Sequence, residues 1–485
     1  MKLDGKTTVE YGRVAVLHQV AKRINLVKVI NKCAPKKGDL SVGELVEVSA
    51  INRIVDPLAK TNIPQWYETT YLPELLGFEL PLSSGYQTLT RCYDVLTEDV
   101  QMDIEIELAP IVKRVYHLTD DTYLYDLTNT FVEGIGEAEI LQFGHSKENR
   151  SGNKLVNYGM VVTQEDAIPL FHRAFPGNKN DCRTVKSTMD LFHSRLGLQG
   201  CLVMDRGLVS AENIKDIVDD RHLDLVAGLR SNKKLKGQVV DIPMDKYGPT
   251  FLLKKETVRA YEFPHVIGDK ERRCILYHSE DKAKRDAKAR EKNLKDVTEE
   301  MKKFEKKAQR KGRGRKSKTN ALIKKIEDLL QKKGMKDIVQ YRFVGGRGGR
   351  SLKWCIDDDA IKTEECLDGK YILITTLNKK PKDILGIYRS RNGIERAFRM
   401  TKECIHIRPI FNRKDEHIRA HLFICFIAYL LLSLVEKELK GTDAQMTGMK
   451  AMRELKSETV QVDRKLRQRG GKKVLKALRL KKPDR

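Results

Sequence analysis

The sequence predicts a mixed α/β protein: a mixed sheet flanked by helices and interrupted by a large insertion, with an α-helical N-terminal domain and a basic C-terminal tail. Three observations predict it. Residues 1–115 carry apolar residues at three- and four-residue steps, as in VAVLHQVAKRINLVKVI. From about residue 120 the chain turns to short aromatic and β-branched runs that alternate with helical patterns. Between about 230 and 370 that alternation breaks, and residues 281–318 hold 17 Lys and Arg against 7 Asp and Glu.

Size and charge narrow the function classes. A chain of 485 residues exceeds one ordinary core, so two or three domains are expected. The formal net charge of +25 predicts counterion release on a polyanion, with nucleic acid as the leading partner. Nine scattered cysteines with no C-x-x-C pair argue against a zinc ribbon or a disulfide framework and for a reducing compartment. The N-terminus, MKLDGKTTVEYGRV, lacks the apolar core of a signal peptide. LFICFIAYLLLSLV, at 422–435, is shorter than the ~20 residues of a membrane span. It is expected to be a buried core helix, in a cytoplasmic protein with no membrane partner.

The elements follow in order. Pro57, Pro64, Pro73 and Pro81 break the helical N-terminal domain, residues 1–115, whose role is DNA-end binding or dimerisation. TYLYDLTNT (122–130) reads as a strand ending at Asp126, and LVNYGMVVTQ and AIPLFHRAF as two more strands. CRTVKSTMDLFHSRL (182–196) is helical. GCLVMDRG (200–207) is a short apolar run ending in Asp205, which suits a strand buried on both faces. Ser210 is placed to cap the helix AENIKDIVDD, and LDLVAGL (223–229) is another strand. The order β-β-β-α-β-α-β describes a ribonuclease-H-like layout over residues 116–450, with the insertion at 230–370. In that layout the first and fourth strands lie parallel and adjacent, bringing Asp126 and Asp205 to one edge. The tail, 451–485, is basic.

Inside the insertion, the basic run KKFEKKAQRKGRGRKSK is read as a solvated helix or arm, with DNA contact as the alternative. Trp354 is read as a packing tryptophan, GGRGGR (345–350) as a flexible basic loop, and His417 and His421 as structural. Asp120, Asp121 and Asp357–Asp359 are read as turn residues.

YRSRNGIERAFRMTK (388–402) carries the remaining chemistry. On a helix, Tyr388, Arg391, Glu395 and Lys402 fall within about 60° of one another. Taken alone, this face is either an exposed ion-pair network or a carboxylate metal ligand set among phosphate-binding cations.

The spacing Y-x2-R-x3-E-x6-K resembles the YREK signature of insertion-sequence DDE transposases of the IS-four type. YDLTNT resembles the family's first-aspartate strand, and MDRG followed by Leu208 its second-aspartate motif. The long separation of Asp205 from Glu395 matches the family's insertion, and RAHLFICFIAYLL is similar to its C-terminal core helix. The resemblance covers about 120–440; the basic helical stretch departs from the family's mostly β insertion. It implies that Asp126, Asp205 and Glu395 are catalytic and hold two Mg²⁺ ions, for which Mn²⁺ can substitute. Tyr388, Arg391 and Lys402 would bind DNA. The implied reaction nicks the element's ends, cuts the second strand through a hairpin, and joins the free 3′-OH to target DNA. The implied partners are double-stranded DNA, as element ends and target, and a second copy of the chain in a homodimer, on the nucleoid of a prokaryotic cytoplasm. Two alternatives stand beside it: a transposase-derived DNA-binding protein that no longer cuts, and an aspartyl-phosphate hydrolase, which would leave the Tyr388–Lys402 face without a task.

Overall fold

The computed structural model describes residues 7–34, 40–119, 121–133, 138–144, 146–147, 152–195, 197, 199–230, 232–309, 317–346, 349–442 and 444–462. Asp120, the middle of the basic segment (310–316), the tip of GGRGGR (347–348) and the basic tail from 463 lie outside them. The chain divides into two compact units, Met1–Leu225 with Ile387–Arg485, and Val226–Gly386.

The first unit begins with β1 (Thr7–Glu10) and seven helices: α1 (Gly12–Arg23), α2 (Leu26–Cys33), α3 (Val42–Val55), α4 (Ile63–Glu68), α5 (Leu72–Leu76), α6 (Gly85–Val95) and α7 (Glu98–Val115). The prolines mark boundaries: Pro64 and Pro73 sit in the first turns of α4 and α5, where the missing N–H costs nothing. Ser41 caps α3, its hydroxyl accepting from Glu44 N–H while the Glu44 carboxylate takes the Ser41 N–H.

Next come β2 (Thr122–Phe131), β3 (Leu155–Thr163), β4 (Pro169–Pro176), α8 (Cys182–Ser194), β5 (Cys201–Met204), α9 (Ala211–Ile214) and β6 (Asp224–Gly228). Ser210 caps α9 as expected, its hydroxyl 3.1 Å from Asn213 N–H. Strands β4, β3 and β2 are antiparallel neighbours, whereas β2 and β5 are parallel, so the sheet is mixed. Helices flank it.

The second unit carries α10 (Lys233–Val240), β7 (Phe251–Leu253), β8 (Glu256–Ile267), β9 (Lys270–Ser279), α11 (Glu280–Gln309), α12 (Ser317–Lys333), β10 (Val339–Gly346), β11 (Gly349–Ile356), α13 (Asp358–Leu367) and β12 (Lys370–Thr375). Its strands β12, β9, β8 and β7 form an antiparallel series. Helices α11 and α12 close on the β10–β11 hairpin around Val297, Met301, Ile326, Leu330 and Leu352. The ends of GGRGGR are therefore paired strand, not a free loop, with Gly345 opposite Arg350 and Gly346 opposite Gly349. Trp354 is half-buried against this cluster, and its Nε1–H donates to Glu305 Oε2 at 3.3 Å. Asp357 is a helix cap, accepting from Asp359 and Ala360 N–H at the start of α13.

Helix α14 (Pro381–Arg389) leads back to the first unit, which ends in α15 (Asn392–Glu403), α16 (Asp415–Lys440), α17 (Gly448–Glu454) and β13 (Thr459–Val462). Strand β13 pairs antiparallel with β1. The apolar run at 422–435 corrects its own length argument: α16 has 26 residues and is long and apolar enough to cross a membrane. Its most apolar window is nonetheless 94% buried within the chain, packed against α1, α3, α6, α7 and β4. That makes α16 the axis of this unit's core.

Candidate active site

Register brings Asp126 and Asp205 together. Strands β2 and β5 pair in parallel from Thr122 opposite Cys201 to Tyr125 opposite Met204. Asp126 and Asp205 are each the next residue, where that pairing stops. The register is pinned at its other end by Gly200 (φ +122°), whose missing Cβ would collide with the Asp121 carbonyl. That carbonyl accepts from Cys201 N–H at 2.7 Å. The strand does not end at Asp126, as expected from sequence. It runs on to Phe131, because residues 126–131 keep antiparallel pairing with β3.

The expectation of one helix across 388–402 is also corrected. Helix α14 stops at Arg389 and α15 starts at Asn392. Between them the bonds tighten: Arg391 N–H donates to the Tyr388 carbonyl at 3.3 Å and Gly393 N–H to that of Ser390 at 2.8 Å. The Ser390 hydroxyl bonds the Ile387 carbonyl at 2.6 Å. SRNG is a cluster of turn residues, a signal that the strong helical periodicity on either side masks.

The break still delivers its side chains to one place. Tyr388 Oη donates to Asp205 Oδ1 at 3.4 Å. Arg391 Nη1 lies 2.5 Å from the same oxygen, and its Nη2 is 3.4 Å from Glu395 Oε1. The guanidinium thus bridges the second aspartate and the glutamate, with its Cζ 5.2 Å from the centre of the Tyr388 ring.

Asp126, Asp205, Glu395 and Lys402 line one cavity of about 490 Å³. Tyr388 and Arg391 are not among its walls; they reach it through Asp205. Lys147, Asp181, Arg399 and Arg408 also line it; the sequence marks Arg399 only as one of the bases around Glu395 and gives the other three no role. Lys147 belongs to a polar loop without periodicity, so nothing in the sequence marks it. Its Nζ donates to the Leu127 carbonyl at 2.6 Å and lies 3.3 Å from Asp181 Oδ2.

The electrostatics are those of a crowded, partly dry site. Burial pushes the Asp126 carboxyl up to about 6, and the Asp205 charge adds to the rise. Lys147, the Leu127 N–H 2.8 Å from Oδ1, and Arg391 oppose it without cancelling it. Burial and the like charge of Lys147 bring Lys402 down to about 8. Burial also raises Tyr388. Arg391 is raised despite its burial by Tyr388 and by the three acids.

The two histidines belong to the framework. His421 Nε2 is 2.9 Å from the Ile407 carbonyl, and burial lowers its pKa to about 3. His417 Nε2 pairs with Asp94 Oδ1 at 2.7 Å.

Three carboxylates form a hard, oxygen-only donor set of the kind that suits Mg²⁺ or Mn²⁺. Burial is the main cause of the rise at Asp126 and the Asp205 charge the smallest, so the fit to a divalent ion rests on the oxygen-only donor chemistry. The spacing is another matter. Among the described residues, no group of three His, Cys, Asp or Glu lies close enough to hold an ion together. Arg391 stands between two of the three candidates.

Residues 136–431, more than half of the chain, match the family model described as the transposase DDE domain. The match includes Asp205, Tyr388, Arg391, Glu395 and Lys402, and begins ten residues after Asp126. Among solved structures, the chain is similar to a piggyBac transposase synaptic complex with hairpin DNA (SNHP), determined by cryo-EM. The identity is 10% and the TM-score 0.38, with 92% of this chain and 79% of that chain covered. No curated protein matches.

Proposed function

The chain belongs to the transposase DDE-domain family, and from that premise we propose that it is an insertion-sequence transposase of the IS-four type. It would cut double-stranded DNA at the element's ends and join the freed 3′-OH to target DNA. One observation carries the reading. Asp126 and Asp205 stand one step beyond the last parallel pair of β2 and β5, on a cavity shared with Glu395 and Lys402. The catalytic domain is read as ribonuclease-H-like, spanning 116–450 around the insertion at 230–370. The helical N-terminal domain (1–115) is assigned to end recognition.

Asp126, Asp205 and Glu395 are the residues that would hold the divalent ions, two Mg²⁺ with Mn²⁺ as substitute. When bound, such ions activate the attacking oxygen and stabilise the leaving 3′ oxygen. The protein's own groups do the rest. Arg391 spans two of the carboxylates and would turn its fork to a phosphate as they take up metal. Tyr388, whose hydroxyl keeps its proton, is a hydrogen-bond donor beside the same oxygen. Lys402 and Lys147 would present positive charge to the strand from the wall of the cavity of about 490 Å³. The same site would serve hydrolysis, second-strand cutting through a hairpin, and strand transfer. Pairing of two element ends calls for a homodimer, acting on the nucleoid of a prokaryotic cytoplasm.

The test is cleavage of supercoiled donor DNA carrying the element's ends in Mg²⁺, comparing wild type with Glu395→Gln. The expected result is release of the element by wild type alone, with both proteins binding the ends. Among the described residues no three of these acids lie close enough to hold one ion, and a second reading is kept beside the first, a DNA-binding protein that no longer cuts. Binding by both proteins with cleavage by neither would establish that reading instead.

A further inference from the structure

The longest helix of the second unit has two faces. Val297, Met301 and Phe304 of α11 are buried against α12 and the β10–β11 hairpin. At 100° per residue, Lys284, Lys288, Lys295, Lys302 and Lys306 fall within about 40° of one another, on the side turned away from that core. All five are exposed. At about 1.5 Å per residue the stripe is about 33 Å long, close to one turn of B-form DNA.

Ion pairing separates these lysines from four of the six other bases of α11. Lys282 pairs with Asp286, Arg290 Nη1 with Asp368 Oδ1 at 2.5 Å, and Lys303 Nζ with Glu300 Oε1 at 2.6 Å. Arg285 Nη2 lies 3.5 Å from Glu256 Oε1. None of the five stripe lysines forms a hydrogen bond or ion pair among the described residues. Three exposed acids of α11 flank the stripe, Glu291 on one side and Asp281 and Glu299 on the other, each about 20° beyond its edge. A run whose charges merely keep a long helix soluble would spread them and neutralise many at i,i+4. Here every neutralised base lies off the stripe, and of the seven lysines of α11 without an ion pair among the described residues five lie along it, Lys292 and Lys307 falling outside.

We propose that this stripe is a DNA-binding surface distinct from the catalytic cavity, which holds the backbone of a duplex through its phosphates without reading its sequence. The inference rests on the transposase reading for its choice of polyanion. A single row of lysines on an exposed helix offers point charges and no shaped pocket, which suits a regular array of phosphates and provides nothing to recognise a base. The successive lysines are about 6, 10.5, 10.5 and 6 Å apart along the axis. Phosphates of a duplex recur at comparable intervals, and flexible four-carbon stems take up the mismatch.

The experiment is a salt titration of binding to a duplex lacking the element's ends, using the full chain. Wild type is compared with a variant in which the five stripe lysines are glutamine. The control replaces five other exposed lysines, Lys307, Lys332, Lys336, Lys353 and Lys362, and so removes the same net charge. Each lost phosphate contact lowers the slope of log K against log salt by about 0.9. Three to five contacts then lower it by about 3 to 4.5, so the advantage of wild type over the variant shrinks roughly 40- to 500-fold between 50 and 200 mM salt. The control is expected to keep most of the wild-type slope, and both variants to keep their circular-dichroism helix content. Equal slopes for the stripe variant and the control would overturn the inference while leaving the transposase reading intact, because wild type would still bind. Failure of wild type to bind any duplex DNA would overturn both. A slope that falls for duplex RNA but not for DNA would assign the stripe to RNA and overturn it for DNA.

Discussion

Asp126→Asn tests the electrostatics of the site before any DNA is added. Burial holds this carboxyl at about 6 instead of 3.8, so ionising it costs the folded state roughly 3 kcal/mol. The sign follows from proton linkage. An acid whose folded pKa is raised binds its proton more tightly in the folded state, so its contribution is most favourable below 3.8 and is lost as pH rises through about 6. Asparagine keeps an oxygen for the Leu127 N–H and carries no charge. The variant should therefore be more stable than wild type by about 3 kcal/mol at pH 8 and by about 1.6 kcal/mol at pH 5. The chain has two tryptophans, Trp66 in the first unit and Trp354 in the second. In a Trp354→Phe background, Trp66 fluorescence during urea unfolding reports the unit that holds the site. Equal stability of the two proteins at pH 8, or a gap that does not change with pH, would refute the reasoning. Added Mg²⁺ should raise the stability of wild type and not of the variant, because metal and proton compete for the same oxygens.

Three further outcomes are expected. Lys402, near 8, loses its charge as pH rises through that value. Anisotropy measurements should therefore show affinity for a cleaved element end falling between pH 7 and 9, and Lys402→Arg should flatten the profile, since a guanidinium stays charged. Gly200→Ala forces a Cβ into the Asp121 carbonyl at φ +122° and should cost about 1–3 kcal/mol in urea unfolding, with a larger loss of cleavage than of DNA binding because β5 carries Asp205. His421→Ala removes a buried ring and leaves the Ile407 carbonyl without its donor, which should cost about 2–4 kcal/mol while leaving cleavage per folded molecule unchanged.

The legible parts of this chain are those in which a local pattern and a tertiary demand agree. CLVM is continuously apolar because β5 is buried on both faces, and that burial made Asp205 conspicuous as the first polar residue after it. The end of β2 was not legible in the same way. LTNTF continues as strand because β3 keeps pairing with it after β5 has stopped, a fact about a neighbour and not about the segment. Helix α16 outran its apolar window at both ends. Asp415 and Glu416 in its first turn, and Lys437 and Lys440 in its last, complement the helix dipole where the apolar pattern had already faded. Lys147 could not have been found, since its importance comes only from reaching the Leu127 carbonyl and Asp181 across the fold.

The candidate site makes the same point about chemistry. The spacing of Tyr388, Arg391, Glu395 and Lys402 suggested a shared helical face, and the helix breaks in the middle of it. What survives the break is the sum of the contacts, not the periodicity: a turn at Ser390 and Arg391 aims both Tyr388 and Arg391 at Asp205. Asp126 and Asp205 repel one another beside a cavity that Glu395 also lines, and the chain relieves the crowding in two ways. Arg391 neutralises Asp205 and Glu395 together, and burial leaves Asp126 partly protonated near pH 6. Both devices are reversible, by rotation of a side chain and by loss of a proton. A permanently buried ion pair in the same place would keep the acids apart from any incoming cation, whereas a half-exposed glutamate held at 3.4 Å by a guanidinium can be released by a stronger positive charge.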